Sequence, residues 1–388
     1  MTTTINNEHK KLNVPNLRFP EFQGEWEKMR LDAFTKRVMR KNKSNQSRLP
    51  LTISAQYGLV DQVTFFNKIV ASTDLSNYYL LKKGEFAYNK SYSSDYPWGA
   101  IKRLDNYDQG ALSSLYICFT PQDNVVSDFI LQYFESPKWH KGISEIAVEG
   151  ARNHGLLNVS VQDFFHTYHY VPKDKKEQIK ISKLLMLFDE RIATQNKIIE
   201  DLKMLKSAIS HILFSSKCAI HLSDIANVVM GQSPSSNAYN DQGIGMPLVQ
   251  GNLDISNGKT TPRLYTAEFN QTTEEGNIIL TVRAPVGEVA KATKKVCLGR
   301  GVCAIIPHEE NMSDFIYQYL TFYKFMWRKY EQGSTFTSIN GSDVRNIPCP
   351  KVRNVSILTL LDRKINIEER VIKLYQSQKQ YMLCQMFI

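Results

Sequence analysis

The chain has 388 residues, long enough for two to three domains, and 42% of them are hydrophobic, so it can bury real cores. Lys and Arg outnumber Asp and Glu by 48 to 38, a net charge of +10 that suits a polyanionic partner, although a basic protein with no nucleic-acid role has the same composition. Six scattered cysteines (Cys118, Cys218, Cys297, Cys303, Cys349, Cys384) make no CxxC pair and no zinc spacing, the polar start MTTTINNEHKK lacks an apolar signal core, and no run of about 18 apolar residues could span a membrane; the expectation is a cytoplasmic protein with reduced thiols and no metal site.

Residues 1–15 read as a loose polar start. PNLRFPEFQGEWEKMRLDAF, broken by two prolines and a glycine, reads as an extended lead-in anchored by Trp26, Leu31 and Phe34. The basic stretch KRVMRKNKSNQSR (36–48) has too few apolar residues for a core and is either a solvated loop or a phosphate-facing one. Residues 50–120 alternate apolar and polar in short runs between turn residues, as in LPLTISAQYGLV, KKGEFAYNK and GALSSLYICFTP, which are strand signals. SDFILQYFESPKWHKGI (127–143) reads as a helix broken at Pro137, and residues 148–172 mix glycine turns with strand-like residues.

Residues 174–214 contain neither proline nor glycine. Apolar residues recur in steps of four and three: Ile181, Leu185, Phe188, Ile192, Ile199, Leu202, Ile209 and Leu213, with Gln195 and Lys206 in the remaining seam places. This is a coiled-coil seam, about 60 Å long at about 1.5 Å per residue. Such a stripe needs a partner, because isolated helices are marginal in water. Asp174 and Glu177, just after Pro172, have the spacing of a capping box.

The plan then starts again. HLSDIANVV (221–229) resembles RLDAFTKRV (30–38), EEGNIILTV (274–282) stands where KKGEFAYNK did, and GRGVCAIIP has the rhythm of GALSSLYICFTP. SDFIYQYL (313–320) and SDFILQYF (127–134) share six of eight residues. GSTFTSINGSDVRNIPCP then corresponds to the stretch before the first long helix. A second seam follows, Leu358, Leu361, Ile365, Ile372, Tyr375, Met382 and Met386, with Glu368 and Lys379 where Gln195 and Lys206 stood. Polar interruptions repeated in register point to duplication.

The predicted architecture is α+β: two tandem mixed α/β domains, related by a pseudo-two-fold, on two long antiparallel coiled-coil helices. A register centred between Glu200 and Asp201 on one helix and Lys373 and Leu374 on the other would put Lys206 beside Glu368 and Gln195 beside Lys379. B-DNA repeats about every 34 Å, so helices of this length could hold two reading heads apart.

Several short motifs carry a family resemblance. PNLRFPEFQGEWE, the P-x4-EQ start of the first helix (Pro172, Glu177, Gln178), LFDERI and LLDRKI within the helices, and the G-x-x-P opening of the second domain (Gly231 to Pro234) are similar to the specificity (S) subunit of type I restriction–modification systems over nearly the whole chain. The second helix departs from the pattern: it lacks the EQ pair and is about five residues shorter before Asp362. The resemblance implies target-recognition domains at 1–172 and 217–349 and spacer helices at 173–216 and 350–388. It implies a bipartite, asymmetric double-stranded DNA target. It also implies two modification subunits that carry S-adenosylmethionine and methylate adenine, and two restriction subunits that use ATP and Mg. The chain itself would hold no cofactor and have no active site.

The residues agree on the missing chemistry. There is no NPPY or DPPY tetrapeptide and no GxxxxGK[ST] loop. Gly299-Arg300-Gly301 and Gly243-Ile244-Gly245 read as turns, and His154, His166 and His169 as structural or surface residues. Polar loop residues are the candidates for DNA contact, since base edges are read by Arg, Asn and Gln while phosphates give affinity. In the first domain these are Lys41, Lys43, Asn45, Gln46, Gln56, Tyr57, Lys90, Arg103, Arg152 and Asn153; in the second, Gln232, Ser235, Ser236, Gln250, Asn252, Arg283, Arg300, Thr335 and Ser338. Each is otherwise an ordinary solvated side chain. Tyr57, Tyr88, Tyr92, Tyr96 and Trp98 fit core or surface roles better than base stacking. Two other functions compete: a standalone DNA methyltransferase or nuclease with fused recognition domains, which would need a catalytic cluster, and a coiled-coil protein scaffold, which leaves the duplicated basic domains unexplained.

Overall fold

Hydrophobic seams and short alternating runs resolve into two units in the computed structural model, which describes residues 12–147, 155–216, 218–329, 338–351 and 354–388. One unit is Met1–Thr194 with Ile372–Ile388, the other Gln195–Val371, so each long helix contributes to both.

In the first unit the chain runs through β1 (Glu27–Arg30), α1 (Leu31–Phe34), β2 (Thr35–Arg37), β3 (Pro50–Ser54), β4 (Gly58–Asp61), α2 (Gln62–Phe66), β5 (Tyr79–Lys82), β6 (Phe86–Asn89), β7 (Ala100–Arg103), β8 (Gln109–Leu112) and β9 (Ile117–Pro121). Then come α3 (Ser127–Glu135), α4 (His140–Ile146), α5 (Val161–His166), β10 (Tyr168–Val171) and the long α6 (Lys175–Phe214). One sheet has the order β2-β9-β6-β7; the other, β4-β3-β8-β5, contains a parallel pair, β3 beside β8. Trp26, Leu31 and Phe34 are buried as expected. The core stacks Phe86 on Phe119 and Tyr88 on Phe164. It takes in Ile181 and Leu185 from α6 and Leu383, Met386 and Phe387 from the chain's end, so the helix ends complete a domain core. Burying each such side chain contributes about 1.5–3 kcal/mol.

The second unit repeats this with β11 (Cys218–His221), β12 (Ala226–Met230), β13 (Tyr239–Asn240), β14 (Met246–Val249), β15 (Ile255–Ser256), β16 (Lys259–Thr260), β17 (Leu264–Thr266), β18 (Thr272–Thr273), β19 (Ile278–Thr281), β20 (Val289–Lys291), β21 (Val296–Leu298) and β22 (Val302–Pro307). They are followed by α7 (Ser313–Tyr323), α8 (Gly341–Arg345), β23 (Pro348–Pro350) and α9 (Ser356–Gln385). Its sheets read β12-β22-β19-β20, extended by β16-β15, and β13-β17-β14-β21-β18. The parallel pair recurs as β14 beside β21. Phe214 packs on Phe315 and Tyr319 here, as Phe387 packs on Phe129 and Tyr133 in the first unit. The duplication read from the sequence is therefore a duplication of topology.

The helices pair antiparallel: within the second unit Gln195 bonds Glu368, and Lys206, farther along α6, reaches back to Asp362 at 2.6 Å. The register differs from the expected one. Lys206 meets Asp362 rather than Glu368, and in the first unit Lys379 meets Asp189 rather than Gln195. Gln132 of α3 and Gln318 of α7 donate to these same two aspartates, at 2.9 and 2.6 Å. Lys379 gains a carboxylate in place of the Gln195 amide, while Glu368, the partner expected for Lys206, is already taken by Gln195 and Lys364. Matching seam places to one another left out the two aspartates that the domains hold in place.

Asp174 caps α6 by accepting from the Lys176 amide, but Glu177 does not close a capping box. Its buried carboxylate takes two bonds from Arg18 (2.7 and 2.8 Å) and one from the Trp26 indole (3.1 Å). Gln178 accepts from Val126 and donates to the Pro172 carbonyl. The EQ pair thus fastens the lead-in and the domain to the helix. α9, without that pair, is capped instead by Asn354, which accepts from the Ser356 amide.

Candidate nucleic-acid interface

Parallel β14 and β21 end at the same edge of their sheet, so the loops that leave them run together. The Gly299 amide donates to the Val249 carbonyl at 2.8 Å. A Cβ on Gly301 would lie 2.1 Å from the Gln250 carbonyl oxygen, and one on Gly231 2.1 Å from that of Gly299. Only glycine lets these three segments approach so closely. They frame a polar cleft of about 360 Å³, lined by Ser233, Gln250, Asn252, Asp254, Arg263, Arg283 and Arg300 together with backbone.

Three arginines against one buried aspartate make the cleft cationic. Asp254 accepts from the Gln250 amide at 2.8 Å and from Arg263 Nε at 3.1 Å. Arg283 and Arg300 are exposed and have no ion-pair partner among the described residues. Such an arrangement can take up an anionic or hydrogen-bond-accepting ligand, and guanidinium groups fit phosphates and guanine edges.

Of the candidates in the second domain, the fold brings together Gln250, Asn252, Arg283 and Arg300. Gln232, Ser235 and Ser236 are exposed on the segment after Gly231 but do not line the cleft. Ser338 is half-buried and bridges Arg283 through the backbone; Thr335 lies outside the described residues. Ser233, Asp254 and Arg263 were not among the candidates. Ser233 sits within the G-x-x-P motif, but no periodicity or motif marks Asp254 and Arg263, which meet only through the folding of separate loops.

In the first domain Lys43, Gln46, Gln56 and Tyr57 are exposed, the last two on the β3–β4 turn. Lys41, Asn45, Lys90 and Arg103 are engaged within the fold. Lys41 donates to the Asn77 carbonyl at 2.8 Å and lies over the Tyr79 ring. Asn45, at φ +50°, accepts from the Leu75 amide. Lys90 reaches the Val159 carbonyl at 3.4 Å. Arg103 bonds Asp105 and Asp128, both at 2.7 Å, which argues against its reading a base. Arg152 and Asn153 lie outside the described residues.

Among the aromatics, Tyr88 is core, Tyr96 and Trp98 are half-buried, and Tyr57 and Tyr92 are exposed. His169 is buried between the Tyr133 and Thr167 hydroxyls, both at 2.8 Å, and burial pushes its pKa down to about 3. His166 is exposed, and His154 lies outside the described residues. The described residues contain no group of three His, Cys, Asp or Glu fit to hold a metal, and none of their helices is long and apolar enough to cross a membrane.

Residues 219–374 match the type I restriction modification DNA specificity domain. A curated relative, named as a candidate type I restriction enzyme MjaX specificity subunit of Methanocaldococcus jannaschii, is 30% identical over 252 residues; the match covers 59% of this chain and 59% of that one. Two solved structures share the fold. One, from work on complex assembly and conformational transition of the type I R-M system, has a TM-score of 0.60 at 19% identity, covering 94% of this chain and 97% of that one. The other, the type I restriction–modification S subunit from M. genitalium, has a TM-score of 0.59 at 18% identity, covering 97% and 99%. Residues 219–374 thus match the type I restriction modification DNA specificity domain, and the chain as a whole shares its fold with a type I restriction–modification S subunit.

Proposed function

We propose that the chain reads a bipartite, asymmetric sequence in double-stranded DNA and directs partner subunits to it. The observation that supports this best is one sheet topology built twice, extended by β13, β15 and β16 in the second copy, where the loops around β14 and β21 line an arginine-rich cleft. A common scaffold with unlike loops suits two unlike half-sites, and the helices shared by both units serve as the spacer.

In this reading the chain has no catalytic role and holds no cofactor. Adenine methylation belongs to two modification subunits that carry S-adenosylmethionine. Translocation and cleavage belong to restriction subunits, two per assembly, that use ATP and Mg. The complex works in the cytoplasm, where its DNA is.

The test is to map methylated adenines genome-wide with and without this chain, in the presence of its modification subunits. The expected result is a single two-part motif that vanishes with the chain. Methylation or cleavage of DNA by the purified chain alone would instead establish a standalone enzyme.

A further inference from the structure

We infer that Arg263, held by the buried carboxylate of Asp254, reads a guanine in the second half-site, with Asp254 as its positioning residue. This rests on the DNA-reading role proposed above. Asp254 is only 3% exposed, and both of its oxygens are occupied: one accepts from the Gln250 amide at 2.8 Å, the other from Arg263 Nε at 3.1 Å. The Nε bond fixes one edge of the guanidinium at the cleft wall. The two terminal amino groups, Nη1 and Nη2, have no hydrogen-bond partner among the described residues. A fixed fork of two free donors matches the O6 and N7 acceptors of guanine in the major groove.

A phosphate offers a similar pair of acceptors, but two features favour the base. A carboxylate next to the fork repels a phosphate and tolerates an uncharged base edge. In the same cleft Arg283 and Arg300 have no carboxylate partner among the described residues, which leaves them as the better phosphate ligands. Asp254 also fixes the backbone of Gln250, another cleft-lining side chain, so one buried group orders two neighbouring readers.

The experiment uses the full chain assembled with its modification subunits and compares wild type, Arg263→Ala, Arg263→Lys, Asp254→Asn and the double variant Asp254→Asn/Arg263→Ala by methylome sequencing. Arg263→Ala should lower discrimination at one G·C position of the second half-site by about tenfold or more, with the first half-site and the spacing unchanged. Lys, a point charge without the fork, should not restore it. Asp254→Asn should relax the same position, and the double variant should relax it no further than Arg263→Ala; a purely structural loss would add to the Arg263 effect. A uniform loss of binding across sequences, with a salt dependence reduced by about one counterion, would make Arg263 a phosphate contact and overturn the inference. Unchanged base preferences in Arg263→Ala would overturn it as well. A wild-type chain that directs no methylation at all would bring down the DNA-reading role itself, which this set of variants separates from failure at Arg263 alone.

Discussion

Gln318 donates from Nε2 to the Asp362 carboxylate at 2.6 Å, and Gln132 makes the same bond to Asp189 at 2.9 Å in the first unit. Both glutamines belong to the most strongly repeated octapeptide in the chain, and both aspartates to the repeated LFDERI and LLDRKI motifs. Each aspartate also receives a lysine from the paired helix, Lys206 or Lys379. The two most visible repeats in the sequence are the two halves of one joint between domain and helix.

Asp362→Ala should therefore cost more than an ordinary surface ion pair. It leaves the amide of Gln318, itself 3% exposed, without its acceptor and Lys206 without its carboxylate. The expected loss is about 2–3 kcal/mol. Lys203→Ala breaks the more exposed pair with Glu369 and should stay within about 0.5 kcal/mol. Urea unfolding of the two variants in parallel tests the contrast, and equal losses would refute it.

Arg18→Ala should release the lead-in segment. Glu177 is 2% exposed and, among the described residues, its carboxylate would keep only the Trp26 indole as a side-chain partner. Leaving a carboxylate buried without its cation costs about 3 kcal/mol. Faster proteolysis within residues 12–26, with a lower unfolding midpoint, is the expected result.

Stability should fall as pH drops below the ordinary histidine range. His169 has an unfolded value near 6.5 and a folded value pushed down to about 3 by burial. Below 6.5 the unfolded chain binds a proton that the folded chain refuses, so the contribution is intact above 6.5 and is lost progressively down to about 3. His169→Gln should flatten the profile between pH 6.5 and 4.5, where this one residue accounts for up to about 1.4 kcal/mol per pH unit. Urea midpoints at pH 7 and 5 for both proteins provide the measurement. A variant with the same slope as wild type would contradict it.

Gly301→Ala should damage the second half-site and spare the first. Its Cβ would stand 2.1 Å from a backbone carbonyl, so the turn between β21 and β22 must move and the cleft wall with it. A methylome in which the second half-motif degenerates while the first stays sharp is the expected outcome.

Lys43→Ala should weaken DNA binding evenly across sequences and lower the salt slope by about one, because the residue is exposed and lacks an ion-pair partner among the described residues. A change of base preference in the first half-site would assign Lys43 to base reading instead.

The sequence by itself determined the repeat, the kinds of element and their order. Strand runs such as KKGEFAYNK and EEGNIILTV and the helical seams are local patterns of apolar spacing, and local spacing dictates which face an element must bury. It also determined part of the cleft, since Gln250, Asn252, Arg283 and Arg300 are polar loop residues of the kind that contacts nucleic acid. Only the tertiary structure decided how the helices register, where Glu177 turns, and that Asp254 holds Arg263. Lys206 and Asp362 are 156 positions apart, Arg18 and Glu177 159, and even Asp254 and Arg263 come from different loops. Periodicity records that a side chain faces inward or outward, whereas the partner of a charged group is chosen by whichever carboxylate or cation the packed sheets and helices bring within hydrogen-bond reach.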